Sequence, residues 1–263
     1  MRRNNTIYMA TYKKRGYKPK TKDDKRSAIE DQSTTAEVFN TLDEGASKTE
    51  EWVVKNQKYI FIIVALVAAI VLGSLGYKKF IQEPKESEAM NDLFQAQQYF
   101  DEAVNATEKD SLFTLALAGG EGKFGLLDVI ENHGGTEAAN LANYYAGMAY
   151  LNLKDYQNTI KYLGDFSSED EALGPLATGA IGDAFAQLDQ PKDALGYYEK
   201  ASEMKSNEFT TPMYLYKAGT VALKLGNNEK ALKYFTRIKT DFSKSSEASN
   251  IDVFIGKAKA AIK

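Results

Sequence analysis

Side chains able to do covalent or metal chemistry are sparse in this chain. Cysteine is absent and histidine occurs once, at His133. Thiol nucleophiles, disulfides, an acylated cysteine and Cys-ligated or multi-histidine metal sites are thereby excluded. His133 lies in Glu131-Asn132-His133-Gly134-Gly135, the pattern of a helix C-terminus followed by a glycine stop. One phosphate-type motif is present literally: Gly120, Gly122 and Gly125 spell G-x-G-x-x-G. A dinucleotide site needs a β-strand before such glycines, so that backbone amides and a helix N-terminus meet the pyrophosphate. Leu112, Phe113, Leu115, Ala116 and Leu117 have helical rather than strand character, and Phe124 follows Lys123 where a Walker loop requires Ser or Thr. An interhelical turn is therefore expected. The acids are spread over helix surfaces with no paired acid and base in a shared motif, so no enzyme, cofactor or metal is expected.

What must position a binding surface is the division of the chain around Tyr59–Tyr77, YIFIIVALVAAIVLGSLGY, which holds no charged residue between Lys58 and Lys78. As a helix it spans about 28 Å, close to the roughly 30 Å of a bilayer's hydrocarbon core. Trp52, Tyr59 and Tyr77 stand where interfacial aromatics are expected. A cleaved signal peptide has a shorter apolar region and a basic start close to it; here a long polar segment precedes the run, which reads as an uncleaved signal anchor. The overall charge of −3 conceals an asymmetry: residues 1–58 carry 13 Lys/Arg against 9 Asp/Glu, while the rest of the chain is acidic. The nearest flanks tie, Lys48, Lys55 and Lys58 against Lys78, Lys79 and Lys85, but the whole basic segment places the N-terminus in the cytoplasm and residues after the span outside.

Residues 1–49 are too polar to offset their ordering entropy and are expected to be a disordered cytoplasmic tail, although Val38, Leu42 and Trp52 outline a short helix over about 35–55. The run from Lys13 to Lys22 suits anionic membrane lipids; a specific partner, ribosomal RNA included, is the alternative, and no nucleic acid is expected. Residues 50–83 form the anchor with core 59–77, and 84–135 form the N-terminal helices of the solenoid. Pro84 suits a helix start, and Ala89, Met90, Leu93, Phe94, Ala96, Gln97, Phe100, Ala103 and Val104 approximate one apolar stripe. Within the span, Ala65, Ala69 and Gly73 share a face where a partner helix could approach closely, or they are merely small residues facing lipid.

From residue 136 the chain repeats itself. Gly147-Met148-Ala149-Tyr150-Leu151-Asn152-Leu153, Gly182-Asp183-Ala184-Phe185-Ala186-Gln187-Leu188 and Gly219-Thr220-Val221-Ala222-Leu223-Lys224-Leu225 align, with glycines 35 and 37 residues apart. Thr159, Ala194 and Ala231 stand twelve residues past each glycine, and Tyr162, Tyr197 and Tyr234 fifteen past. Small residues at helix crossings with aromatics beside them predict close helix pairs. Gly256, again 37 residues past Gly219, marks a final helix over 246–262 whose Lys257, Lys259 and Lys263 make it a cap. Period and pattern resemble the tetratricopeptide repeat. The expected fold is all-α: a single transmembrane helix followed by a short tetratricopeptide-repeat α-solenoid, with repeats and cap over 136–263.

That resemblance implies a concave face lined by the first helix of each pair. Tyr144, Met148, Leu151 and Asn152 fall there in repeat one, Asp183 and Gln187 in repeat two, and Tyr216, Thr220 and Lys224 in repeat three, a mixed aromatic and polar set suited to a polypeptide. Some of these side chains could equally pack against neighbouring helices. Basic tail, single anchor and exported acidic repeats, with the run Asn140-Leu141-Ala142-Asn143-Tyr144-Tyr145-Ala146-Gly147-Met148-Ala149-Tyr150-Leu151, resemble the YfgM-like ancillary subunits of the SecYEG translocon found in Bacteroidota. The resemblance implies a non-enzymatic periplasmic adaptor at the inner membrane, associated with SecYEG, a PpiD-like chaperone and emerging or unfolded polypeptides. A repeat scaffold of another envelope machine (division, gliding or secretion) and a cytoplasm-facing regulator are the alternatives.

Overall fold

A computed structural model describes residues 34–262, with side chains from Glu50 onward; the basic run at Lys13–Lys22 and Lys263 lie outside them. The backbone falls into two compact units, one ending at Ser74 and one beginning at Leu75.

The first unit is built on helix α1 (Thr34–Tyr77). The short helix anticipated near 35–55 is its first part, so helical backbone begins inside the segment assigned to the tail. From Tyr59 the helix is long and apolar enough to cross a membrane, and the side chains of Phe61, Ile62, Ile63, Leu66, Ile70 and Leu72 are all exposed along it. In a bilayer such a helix satisfies every backbone group internally while its side chains meet lipid.

The second unit takes in the last three residues of α1 and continues with a π-helical segment, Lys78–Gln82, in which the Glu83 amide donates to the Lys78 carbonyl. Pro84 explains it. Lacking an N–H, proline cannot bond the carbonyl four residues back, and the ladder re-forms after a widened turn. Helix α2 (Glu83–Asn105) then buries Ala89, Leu93, Ala96, Phe100 and Ala103, a spacing of alternate threes and fours that holds one face. Met90, Phe94 and Val104, grouped with that stripe by sequence, sit on its flank and are largely exposed. Helices α3 (Asp110–Ala118) and α4 (Leu126–Asn132) follow. The glycine-rich motif between them is the expected turn: Gly119 has φ +77°, and a Cβ there would lie 2.3 Å from the Lys123 carbonyl oxygen. The Gly125 amide, at the start of α4, donates to Asp128.

Three helix pairs come next: α5 (Glu137–Asn152) with α6 (Tyr156–Asp165), α7 (Leu173–Gln187) with α8 (Pro191–Met204), and α9 (Thr210–Lys224) with α10 (Asn228–Asp241). Their glycines are the crossing points. A Cβ on Gly147 would lie 2.4 Å from Leu163, on Gly182 2.7 Å from Tyr198, and on Gly219 2.5 Å from Phe235. Each partner stands sixteen residues past its glycine, one helical turn beyond the small residue at twelve, so small and large share the facing side. Thr159, Ala194 and Ala231 are fully buried, and Thr159 satisfies its hydroxyl on the Asp155 carbonyl at 2.9 Å. The tyrosines fifteen past, expected from sequence to fill the crossing, lie one position off that face. Tyr162 stacks on Tyr150 and Tyr197 on Phe185, while the Tyr234 hydroxyl donates to Glu199.

The lengthened linker after α6 is well anchored. Asn140 pairs with both backbone groups of Ser167, and Asp170 accepts from the amides of Ala172 and Leu173. Thirty-seven residues later Asn207 accepts from Phe209 and Thr210 in the same way. Beyond a 3-10 turn (Ser246–Asn250), helix α11 (Ile251–Ile262) buries Ile251, Ile255 and Ala258 against α10. Gly256 keeps the repeat period without being a crossing point: a Cβ there would meet nothing within 4 Å. The positions that hold buried Leu215 and Ala222 in α9 hold Asp252 and Lys259 in α11, so its crossing face is polar and turns outward, as a cap requires.

Candidate functional site

The crossing contacts fix how the first helix of each pair is rotated. With one helical side pressed on its partner at the glycine, residues three before and one, four and five after it occupy an arc to one side of that contact, about 40–140° round the helix at 100° per residue. All nine residues expected on the concave face stand at these offsets. The structure treats them differently. Asn152, Gln187 and Lys224, each five past its glycine, are exposed, as is Thr220. The Asn152 amide donates to the Met148 carbonyl and the Thr220 hydroxyl to the Tyr216 carbonyl, both within their own helices. Lys224 lies 3.8 Å from Asp189, a loose exposed pair of small energetic consequence.

The other five are partly covered. Tyr144 meets Tyr145 edge-on at 5.8 Å and the linker's Phe166 at 5.2 Å; burial, then the neighbouring Tyr145, raises its pKa above the ordinary phenol value. Met148 and Leu151 pack on the same cluster. Tyr216 bridges repeat three to the cap, 5.0 Å from Phe254 in a T-shaped contact. Asp183 accepts from the Tyr198 hydroxyl at 2.7 Å and from Lys217 Nζ at 2.7 and 2.8 Å.

That last network joins three helices. Tyr198 comes from α8 and Lys217 from α9, so the carboxylate of α7 is held from its own repeat and from the next. Lys217 Nζ also lies 5.6 Å from the ring centroids of both Tyr198 and Tyr214, and Tyr214 fills the space at Gly179, where a Cβ would fall 1.9 Å from its ring. Burial, reinforced by the Asp183 charge, pushes the hydroxyls of Tyr198 and Tyr214 well above the usual phenol range. Sequence reasoning selected Asp183 but missed Lys217. The available signal was their 34-residue separation, one repeat length, which places opposite charges on successive first helices.

His133 ends α4, its amide bonded to the Val129 carbonyl, as expected. Its ring, almost fully buried, also sits 2.7 Å from Asp92 of α2. Glu86 of α2 accepts from the amides of Glu137 and Ala138 at the start of α5, so α2 grips the α4–α5 junction. Among the described residues no group of three or more His, Asp or Glu side chains could hold a metal ion. On the span, Ala65, Ala69 and Gly73 are exposed along one side, with nothing within 4 Å of a Cβ built on Gly73.

Chemically, the open arc offers amide donors and acceptors at Asn152 and Gln187, an ammonium at Lys224 and a half-covered apolar floor at Tyr144, Met148 and Leu151. Such a surface can hydrogen-bond an extended backbone and accept apolar side chains. A tetratricopeptide-repeat family model matches residues 214–245, from within α9 through α10 into the following loop. No curated protein matches the chain.

Proposed function

We propose that this chain is a non-enzymatic, membrane-anchored adaptor of the Sec translocon, its repeat domain periplasmic and binding a PpiD-like chaperone or emerging polypeptides. The observation that carries the binding half is the register of Asn152, Gln187 and Lys224, which occupy the same exposed position on three successive helices. A tetratricopeptide repeat generally serves protein–protein interaction, and the transmembrane helix confines that activity to a membrane surface. Support for the translocon comes from the resemblance of the Asn140–Leu151 run and of the tail, anchor and repeat order; support for a periplasmic domain comes from the 13 basic residues ahead of the span.

Two experiments test this. Affinity purification of the tagged full chain in mild detergent should recover SecY or a PpiD-like chaperone; another envelope machine recovered in their place would move the protein to that machine. Protease added to spheroplasts should digest residues 84–263 and spare the N-terminal tail. The opposite pattern would put the repeats in the cytoplasm.

A further inference from the structure

The segment Lys78–Ile81 is used by neither the repeats nor the span. Phe80 is 80% exposed and Ile81 54%, the former more exposed than any large apolar side chain of the span. Lys78 is exposed as well, and Lys79 reaches Glu83 at 2.8 Å with most of its side chain still in solvent. Covalent connection fixes their depth. They follow Tyr77 by one to four residues, an axial rise of at most about 6 Å at helical pitch. The headgroup layer on each side of a bilayer is itself roughly 5–7 Å thick. Two lysines and two large apolar side chains thus fall in the layer where ammonium groups meet phosphates and aromatic rings meet the ester region. The π turn forced by Pro84 lies across these residues, and none of them is buried by the domain.

We infer that Lys78–Ile81 is a lipid-binding element, in which Lys78 and Lys79 hold an anionic phospholipid headgroup while Phe80 and Ile81 lie beside it in the same interfacial layer. The element would extend the membrane contact of the apolar span and tie the start of the folded domain to the bilayer surface. It rests on the membrane span and is independent of the adaptor reading.

The test uses the full chain in lipid vesicles with Trp52, the sole tryptophan, removed as Trp52→Phe. Single tryptophans are then placed by Phe80→Trp, by Leu66→Trp in the mid-span and by Phe209→Trp in an exposed loop. Emission at position 80 should be blue-shifted from that at position 209. It should be quenched more by phospholipids brominated near the headgroup end of the acyl chain than by those brominated near the methyl end, the reverse of position 66. Brominated phosphatidylglycerol should quench position 80 more than brominated phosphatidylcholine, and Lys78→Gln with Lys79→Gln should abolish that preference. Emission and quenching at position 80 equal to those at position 209, with position 66 quenched, would overturn the inference and leave the span intact. An unquenched position 66 would overturn both. Equal quenching by the two headgroups would overturn the anionic-lipid assignment.

Discussion

Replacing Gly182 by alanine tests the crossing geometry on which the repeats depend. On helix propensity alone the change stabilises by about 1 kcal/mol. The structure predicts the opposite sign. The new Cβ would lie 2.7 and 2.8 Å from two carbons of the Tyr198 ring and 3.3 Å from the Ala194 carbonyl oxygen, so the ring must retreat by about 0.7 Å or more to reach ordinary contact. It has little room to do so: Tyr198 is 3% exposed, stacks on Tyr214, and is tethered to Asp183 through its hydroxyl. Overpacking of this kind costs about 1–3 kcal/mol, and loosening the Tyr198–Asp183 hydrogen bond adds about 1 kcal/mol. Net of the propensity gain, about 1–3 kcal/mol is expected, a fall in Tm of about 2–12 °C for a domain of this size. Gly196→Ala is the control. It lies in α8 with nothing within 4 Å of the new Cβ and should stabilise by about 0.5–1 kcal/mol. Thermal unfolding of the detergent-solubilised full chain, followed by circular dichroism, reads both. A Gly182→Ala protein as stable as Gly196→Ala would refute the close crossing and the repeat alignment built on it.

Removing the acceptor in Asp183→Ala leaves the buried Tyr198 hydroxyl without its partner and should destabilise by about 1–3 kcal/mol in urea unfolding; Lys217→Met should be milder because its ammonium is partly solvated. Tyr198, Tyr214 and Tyr234 have folded pKa values raised by burial and by nearby carboxylates. Their stabilising contribution is therefore fully present below the unfolded value of 10.0 and is lost as pH rises through it toward the folded values. Denaturant midpoints should fall above that pH, and ultraviolet titration should show these phenols ionising later than the exposed tyrosines. The double change Gln187→Ala with Lys224→Glu should reduce partner recovery in the affinity purification while leaving Tm within about 2 °C, because both side chains are exposed surface positions. Unchanged recovery would move the contact away from this arc.

Most of the fold was legible from spacing. An uncharged run of membrane length, glycines at a repeat period and a small residue twelve positions beyond each are local or periodic features, and each dictated an element that the structure contains. That the nine candidate residues share one arc follows from the same spacing, since helical rotation follows once one contact per helix is known; their role in binding is a proposal that the affinity purification tests. Tertiary structure alone decided which partner occupies each crossing, because a one-residue offset turns a helical side chain by about 100° and the aligned tyrosines fell just off the facing side. It also separated the arc into exposed Asn152, Gln187, Thr220 and Lys224 and the packed remainder. Coverage of Tyr144 by Phe166, of Tyr216 by Phe254 and of Asp183 by Lys217 comes from neighbouring elements. Gly256 carries the same lesson: its period was correct, but whether a glycine is a crossing depends on what packs against it, and that is decided by the Asp252 and Lys259 that keep its face in water.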